Sequence, residues 1–380
     1  MTRHRVALWV MLGGKLLAAW GLAWDIQWHL LIGRDTFWIP PHLMMYGGIT
    51  AGLLIAFGVL ALDTAAAHRG ARPPGTLTIL GVTSTRGMHL AVWGIALVML
   101  AAPIDDLWHR LFGLDVTLWS PPHLLGLLGS AINTLGALVI ATEVYSIGSR
   151  ARLAALLLGS ALLYGGVRVV LEPAWLTAFT YGGVAFHTFA MLGALLLPLV
   201  LIPAVRLLDR RWAPVAVVVV ALGVSIVGEQ VARVGFEIVQ PESVIAEEIE
   251  KDPTSPIALA AAIRTRNRGA SVPQPIRLLL PVLAAAIMTA VDPRRRPTAA
   301  CVAYGVALLA LYGWSTSHSP AFQPLVPSAA ETAVAMAIVC LAALAGSLVA
   351  RRLADGLGPL AERPHRHPPD ALGAHAVDKV

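Results

Sequence analysis

Cysteine is almost missing from this chain. Cys301 and Cys340 are the only two, each inside an apolar stretch, so a disulfide framework is excluded and both read as buried, inert thiols. Charge is scarce as well: 13% of the 380 residues are charged against 57% apolar, and the mean hydropathy is +0.71. That balance excludes an ordinary soluble domain. The formal charge of +6 is small, and its arginines sit in short segments between apolar runs. It therefore reads as membrane orientation and not as a nucleic-acid surface. Clusters of methionine are missing too; the nine Met are scattered, which argues against a Met-lined copper pump.

What is present is a succession of long apolar stretches bounded by Arg, Trp and Pro. The expected fold class is all-α: a polytopic integral membrane bundle of about ten transmembrane helices, with the lipid bilayer as its first partner. Spans are expected near 6–24, 42–62, 86–104, 122–145, 151–171, 182–207, 213–236, 276–291, 298–313 and 329–350. The opening MTRHR precedes a long apolar run without a clear A-x-A site, so it reads as a retained first helix. With the N-terminus inside, arginine-rich ends alternate through all ten spans: Arg3 and Arg5; Arg69, Arg72 and Arg86; Arg150 and Arg152; Arg206, Arg210 and Arg211; Arg294, Arg295 and Arg296; Arg351 and Arg352. The opposite ends are acidic. This places both termini in the cytoplasm of a cell (inner) membrane protein. Three regions follow: 1–150, 151–353 with a long outer loop at 237–275, and a Pro- and His-rich disordered tail at 354–380. The loop is acidic and then basic (Arg264, Arg266, Arg268), and a short surface helix fits within it. His365, His367 and His375 in the tail read as solvated.

A polar signature occurs twice. The first copy contains Asp25, Trp28, His29, Gly33, Asp35, Trp38, Pro40, Pro41 and His42. The second contains Asp105, Trp108, His109, Gly113, Asp115, Trp119, Pro121, Pro122 and His123. In each, Asp and the first His are four apart and share one helix face. A glycine then ends the helix, the Pro-Pro pair opens the next one, and the second His sits in its first turn. A hairpin of two helices can thus bring one carboxylate and two imidazoles to a membrane boundary. Such residues are costly there, so two matched sets predict two metal sites: Asp25, His29 and His42; Asp105, His109 and His123. The donor set suits copper, zinc or iron and does not choose among them. Asp35 and Asp115 either orient an imidazole from behind, replace a ligand, or cap the turn. The four tryptophans read as interface anchors.

The stretch DIQWHLLIGRDTFWIPPHLMMYGG resembles the metal-binding segment of the C subunit of particulate methane monooxygenase and ammonia monooxygenase. Asp25, Trp28, His29, Arg34, Asp35, Thr36, Pro40, His42 and Tyr46 fall on that family's pattern. His109 and His123 match the two histidines of its later site, where Asp105 stands in place of an asparagine. The resemblance spans roughly residues 6–145. It implies copper at both sites, other membrane subunits, an electron donor, and a monooxygenase (oxidoreductase) acting with dioxygen on a small apolar substrate. The family's C subunit has more helices before the first motif, and the soluble copper domains of the family's B subunit have no counterpart here. A non-enzymatic copper-handling or accessory protein, or a zinc-dependent membrane hydrolase, are the alternatives.

Polar residues are sparse in the second half. Glu172, Trp175 and His187 echo the signature, with Leu176 where its first histidine belongs, and packing is the preferred reading. Glu229, Arg233 and Glu237 share one helix face and predict an internal ion-pair network, with Arg168 as a further partner. His318 is a further candidate ligand, Lys15 needs a partner in mid-span, and His89 reads as a packing histidine.

Overall fold

The computed structural model describes residues 2–33, 36–112, 119–179, 181–267 and 272–358, with the side chains of 109, 172–179 and 256–257 outside that set. It is 81% helical. Thirteen α-helices run in the order α1 (Thr2–Leu31), α2 (Pro40–His68), α3 (Arg86–Phe112), α4 (Pro121–Val144), α5 (Arg150–Phe179), α6 (Thr188–Leu196), α7 (Pro198–Leu208), α8 (Ala213–Val239), α9 (Ile245–Lys251), α10 (Pro256–Arg266), α11 (Gln274–Ala290), α12 (Pro297–Ser317) and α13 (Ala329–Leu357). Among the described residues, nine segments are long and apolar enough to cross a membrane. One is the continuous run Gly183–Leu208, made of a 3-10 turn, α6 and α7. The chain is an all-α, multi-pass membrane bundle. The span expected at 276–291 is the helix α11, but with 17 residues it is shorter than the nine. α13 runs on to Leu357, four residues into the expected tail; residues 359–380 lie outside the described set.

The N-terminal half is built as two hairpins, α1 with α2 and α3 with α4. Glycine makes each crossing close. A Cβ on Gly14 would stand 2.5 Å from the Gly48 carbonyl oxygen, and one on Gly129 would stand 2.7 Å from that of Gly94. Gly14 and Gly94 are 80 residues apart, and Gly48 and Gly129 are 81 apart. These are the offsets that separate Asp25 from Asp105 and His42 from His123. The duplication therefore extends from the polar signature down into the helix contacts, where small residues let backbones approach in a solvent that gives no hydrophobic drive. Gly48→Leu is expected to wedge α1 from α2 and cost about 3 kcal/mol, the upper end for overpacking. Thermal unfolding in detergent measures it, and an unchanged midpoint would mean that the crossing is slack.

A two-stranded antiparallel ribbon, β1 (Thr76–Ile79) and β2 (Val82–Thr85), joins the hairpins and was not foreseen. Its turn, Leu80–Gly81, has positive φ at both residues (51° and 81°), as a two-residue hairpin requires. At this end the carboxylate of Asp63, 0% exposed, is a hub. Arg3 Nη2 lies 2.5 Å from Oδ1, His4 Nε2 lies 3.0 Å from Oδ2, and the Ser84 hydroxyl donates to Oδ2 at 2.5 Å. His89 packs as expected, with Nε2 3.1 Å from the Leu77 carbonyl. In mid-span, Lys15 turns into the bundle and donates to the carbonyl and hydroxyl of Ser130 on α4, at 3.0 and 3.1 Å.

Candidate metal centre

α1 ends where the sequence says it should. Gly33 adopts φ 89°, and the N–H groups of Ile32 and Gly33 both close onto the Trp28 carbonyl. Pro40 and Pro41 start α2, which places His42 in its first turn. The two helix ends then face each other. Asp25 is 9% exposed. His42 Nε2 stands 3.1 Å from its Oδ1, and His29 Nε2 stands 3.7 Å from its Oδ2. One donor atom from each of Asp25, His29 and His42 lies within 4.8 Å of the others. Two ligands of one ion stand about 3.3–4.2 Å apart at bond lengths near 2.1 Å, so a small rotation of the rings completes the set.

The protonation pattern is informative. His42 Nδ1 lies 3.0 Å from the Thr36 carbonyl, an acceptor only, so Nδ1 carries the proton. Nε2 then faces Asp25 Oδ1, and His29 approaches the same carboxylate. One carboxylate and two imidazoles form a donor set of the kind that holds a divalent cation, with the Thr36 carbonyl orienting the His42 ring from behind.

The second hairpin repeats part of this. His123, in the first turn of α4, has Nε2 3.4 Å from Asp105 Oδ1. Ser120 caps that helix by accepting from the His123 N–H. His109 lies on α3 one turn after Asp105, but its side chain is outside the described set, as are Asp35, Asp115 and Gly113.

Two features of the surroundings escaped the sequence. First, Trp28 is no interface anchor: it is 5% exposed and stacks on Phe236 of α8, with ring centroids 5.8 Å apart. Trp24 meets the same ring edge-on at 6.0 Å and fills the space left by Gly235. α8 presents Gly228, Ala232 and Gly235 to α1, and this small-residue face admits the indoles. Trp38, 70% exposed, and Trp119 stand out from the packed helices instead. Second, the segment after α8 holds two short helices, α9 and α10, and closes on the end of α1. Arg264 donates to the Leu30 carbonyl at 2.9 Å, Ser243 to Leu31 at 2.6 Å, and the Val244 N–H to Ile32 at 2.9 Å. Three carbonyls that a helix end leaves unpaired are thus satisfied beside His29. Arg264→Ala should lower hydrogen-exchange protection of the loop amides 243–248 about tenfold, the effect of one charge-assisted bond. Unchanged exchange would assign the closure to the backbone contact alone.

The remaining expectations resolve as packing. His318 Nδ1 lies 2.8 Å from the Trp314 carbonyl and caps its own helix. His187 is buried against Phe186 and Gly313; the side chains of Glu172, Trp175 and Leu176 lie outside the described set. Glu229, Arg233 and Glu237 form no ion pair with one another among the described contacts, which overturns the expected network. They are exposed along a cleft of about 720 Å³ between α8 and the Gln27–Leu31 side of α1, and Glu229 accepts from Gln274 at 3.3 Å. The i,i+4 spacing gave the shared face, but that face turns away from the bundle. No family model, curated protein or solved structure matches this chain.

Proposed function

We propose that this multi-pass membrane protein holds copper at the hairpin formed by Asp25, His29 and His42. The convergence of His42 Nε2 and His29 Nε2 on the Asp25 carboxylate carries the reading. Copper is preferred over zinc and iron because residues 25–46 resemble the copper segment of the methane and ammonia monooxygenase C subunit. Asp105, His109 and His123 are assigned a second ion by the same resemblance, supported by the approach of His123 to Asp105. In the bilayer of a cell membrane, the arginine distribution assigns the hairpin tips to the outer side.

Bound copper would supply a redox-active Lewis acid for dioxygen chemistry, with electrons from an external donor. The chain's own part is distinct. Asp25 supplies a buried negative charge, Thr36 holds the His42 tautomer, and the Trp24–Trp28–Phe236 wall keeps one side of α1 dry. Oxidation of a small apolar substrate arriving through the bilayer is the function the resemblance points to. A second reading, in which the protein stores or delivers copper, draws on the cleft beside α1, where Gln27, Glu229, Gln230, Arg233 and Glu237 stand with Leu31 and Phe236.

Metal analysis of the purified chain is the test. Stoichiometric copper is expected, and a protein free of it after expression with ample copper would sink the proposal. Zinc in its place moves the reading to water activation. Copper with dioxygen-dependent oxidation of a short alkene selects the oxygenase; copper without turnover selects handling.

A further inference from the structure

The turn after α7 and the turn after α11 are built alike, and they meet. Asp209-Arg210-Arg211 follows α7, and Asp292-Pro293-Arg294-Arg295-Arg296 follows α11. Each aspartate takes a left-handed conformation (φ 52° and 61°), and a proline then opens the next helix. Arg294 Nη2 reaches across to Asp209 Oδ1 at 2.7 Å and locks the turns together, while Arg295 Nε stands 3.6 Å from Asp292. Between them lies a cavity of about 480 Å³ lined by Arg206, Arg211, Arg294, Arg295, Asp209 and Asp292. Both carboxylates are engaged by Arg294 and Arg295. Arg206 and Arg211 are exposed and make no ion pair with any described carboxylate. An orientation signal needs only arginines near helix ends; it does not require two turns 83 residues apart to be cross-linked around a cavity.

We propose that this cavity binds a phosphate group through Arg206 and Arg211. Two free guanidinium groups at the mouth of a cavity with surplus positive charge match a phosphate in charge and in forked hydrogen-bond geometry. Trp212, exposed on the same turn as Arg211, sets the cavity at headgroup depth. The phosphate is then carried by an anionic phospholipid or is free in solution, since basic pockets at helix ends take such headgroups. The site lies at the opposite end of α8 from Phe236 and the candidate metal centre, about 40 Å along a 27-residue helix. It is therefore independent of the copper reading.

The test uses the full chain in neutral detergent. Thermal midpoints are followed with dioleoyl phosphatidylglycerol, dioleoyl phosphatidylcholine or inorganic phosphate added, for wild type and for the Arg206→Gln/Arg211→Gln variant. Arg294 is left intact because it holds the turns. Phosphatidylglycerol is expected to raise the wild-type midpoint, and the variant is expected to need about tenfold more of it or greater, the loss of two charge-assisted bonds. A shift with phosphatidylglycerol alone assigns a lipid headgroup. The same shift with inorganic phosphate assigns a free anion, and both support the site. Equal shifts with both lipids, or a variant that responds like wild type, overturn it.

Discussion

His29→Ala protein, expressed with ample copper, should purify with about one copper fewer than wild type. The carboxylate and His42 would remain, but two ligands hold a divalent ion far more weakly than three. Loss of an outer supporting bond alone costs about 10–100-fold in metal affinity, so loss of a ligand should cost at least about 100-fold. His42→Ala should act alike, because it removes the ring that Thr36 orients. The fold should survive both changes, since neither imidazole belongs to the buried core. His318→Ala is the matched control: that histidine also lies at a helix end but bonds its own helix, and its loss should leave copper unchanged. Should His29→Ala and His42→Ala both retain the full complement, the convergence on Asp25 would be an ion-pair cluster and no metal site.

Asp63→Ala should be among the most damaging single changes in the α1–α4 half. The side chain is fully buried and joins three separate segments, the N-terminus through Arg3 and His4, α2 itself, and the ribbon through Ser84. Its removal strands His4 and Ser84 without their acceptor. Breaking a buried ion pair from one side costs about 3–5 kcal/mol. The lower end applies, because the Arg3 side chain is 36% exposed and can return to water. Asp63→Asn keeps the shape and an acceptor for Ser84, so it should cost less. Unfolding midpoints of the two variants in mixed micelles check this, and equal loss in both would assign the whole effect to the charge that both lack, with nothing from the shape and acceptor that Asn retains.

The membrane architecture was legible because apolar length and arginine alternation report directly on the bilayer. The hairpin was legible because its ends are punctuated locally: Gly33 stops one helix, Pro40 and Pro41 start the next, and a four-residue spacing fixes the Asp25–His29 face. Contacts between distant segments were hidden. Nothing local in Trp28 distinguishes an indole anchored at the interface from one stacked on Phe236 of α8, far along the chain. The Glu229 face was readable, its direction was not, since helical spacing defines a stripe without saying what lies opposite. The ribbon at 76–85 is poorly marked, because Leu80 takes a positive φ without being a residue type that announces such a turn. The glycine pairs Gly14–Gly48 and Gly94–Gly129 were visible as letters, yet their shared offset acquires meaning only once the backbones are seen to touch.

The shortness of α11 bears on the bilayer itself. Seventeen residues span about 25 Å, less than the roughly 30 Å of a hydrocarbon core. Its first residue, Gln274, is bonded to Glu229, which lies ten residues before the C-terminal end of α8. Lipid tails solvate that pair poorly, so hydrophobic mismatch is expected to thin the bilayer there and draw water along α8. The protein thus carries a hydrated notch on one flank, and its neighbours in the membrane will meet a dimpled surface instead of a smooth cylinder.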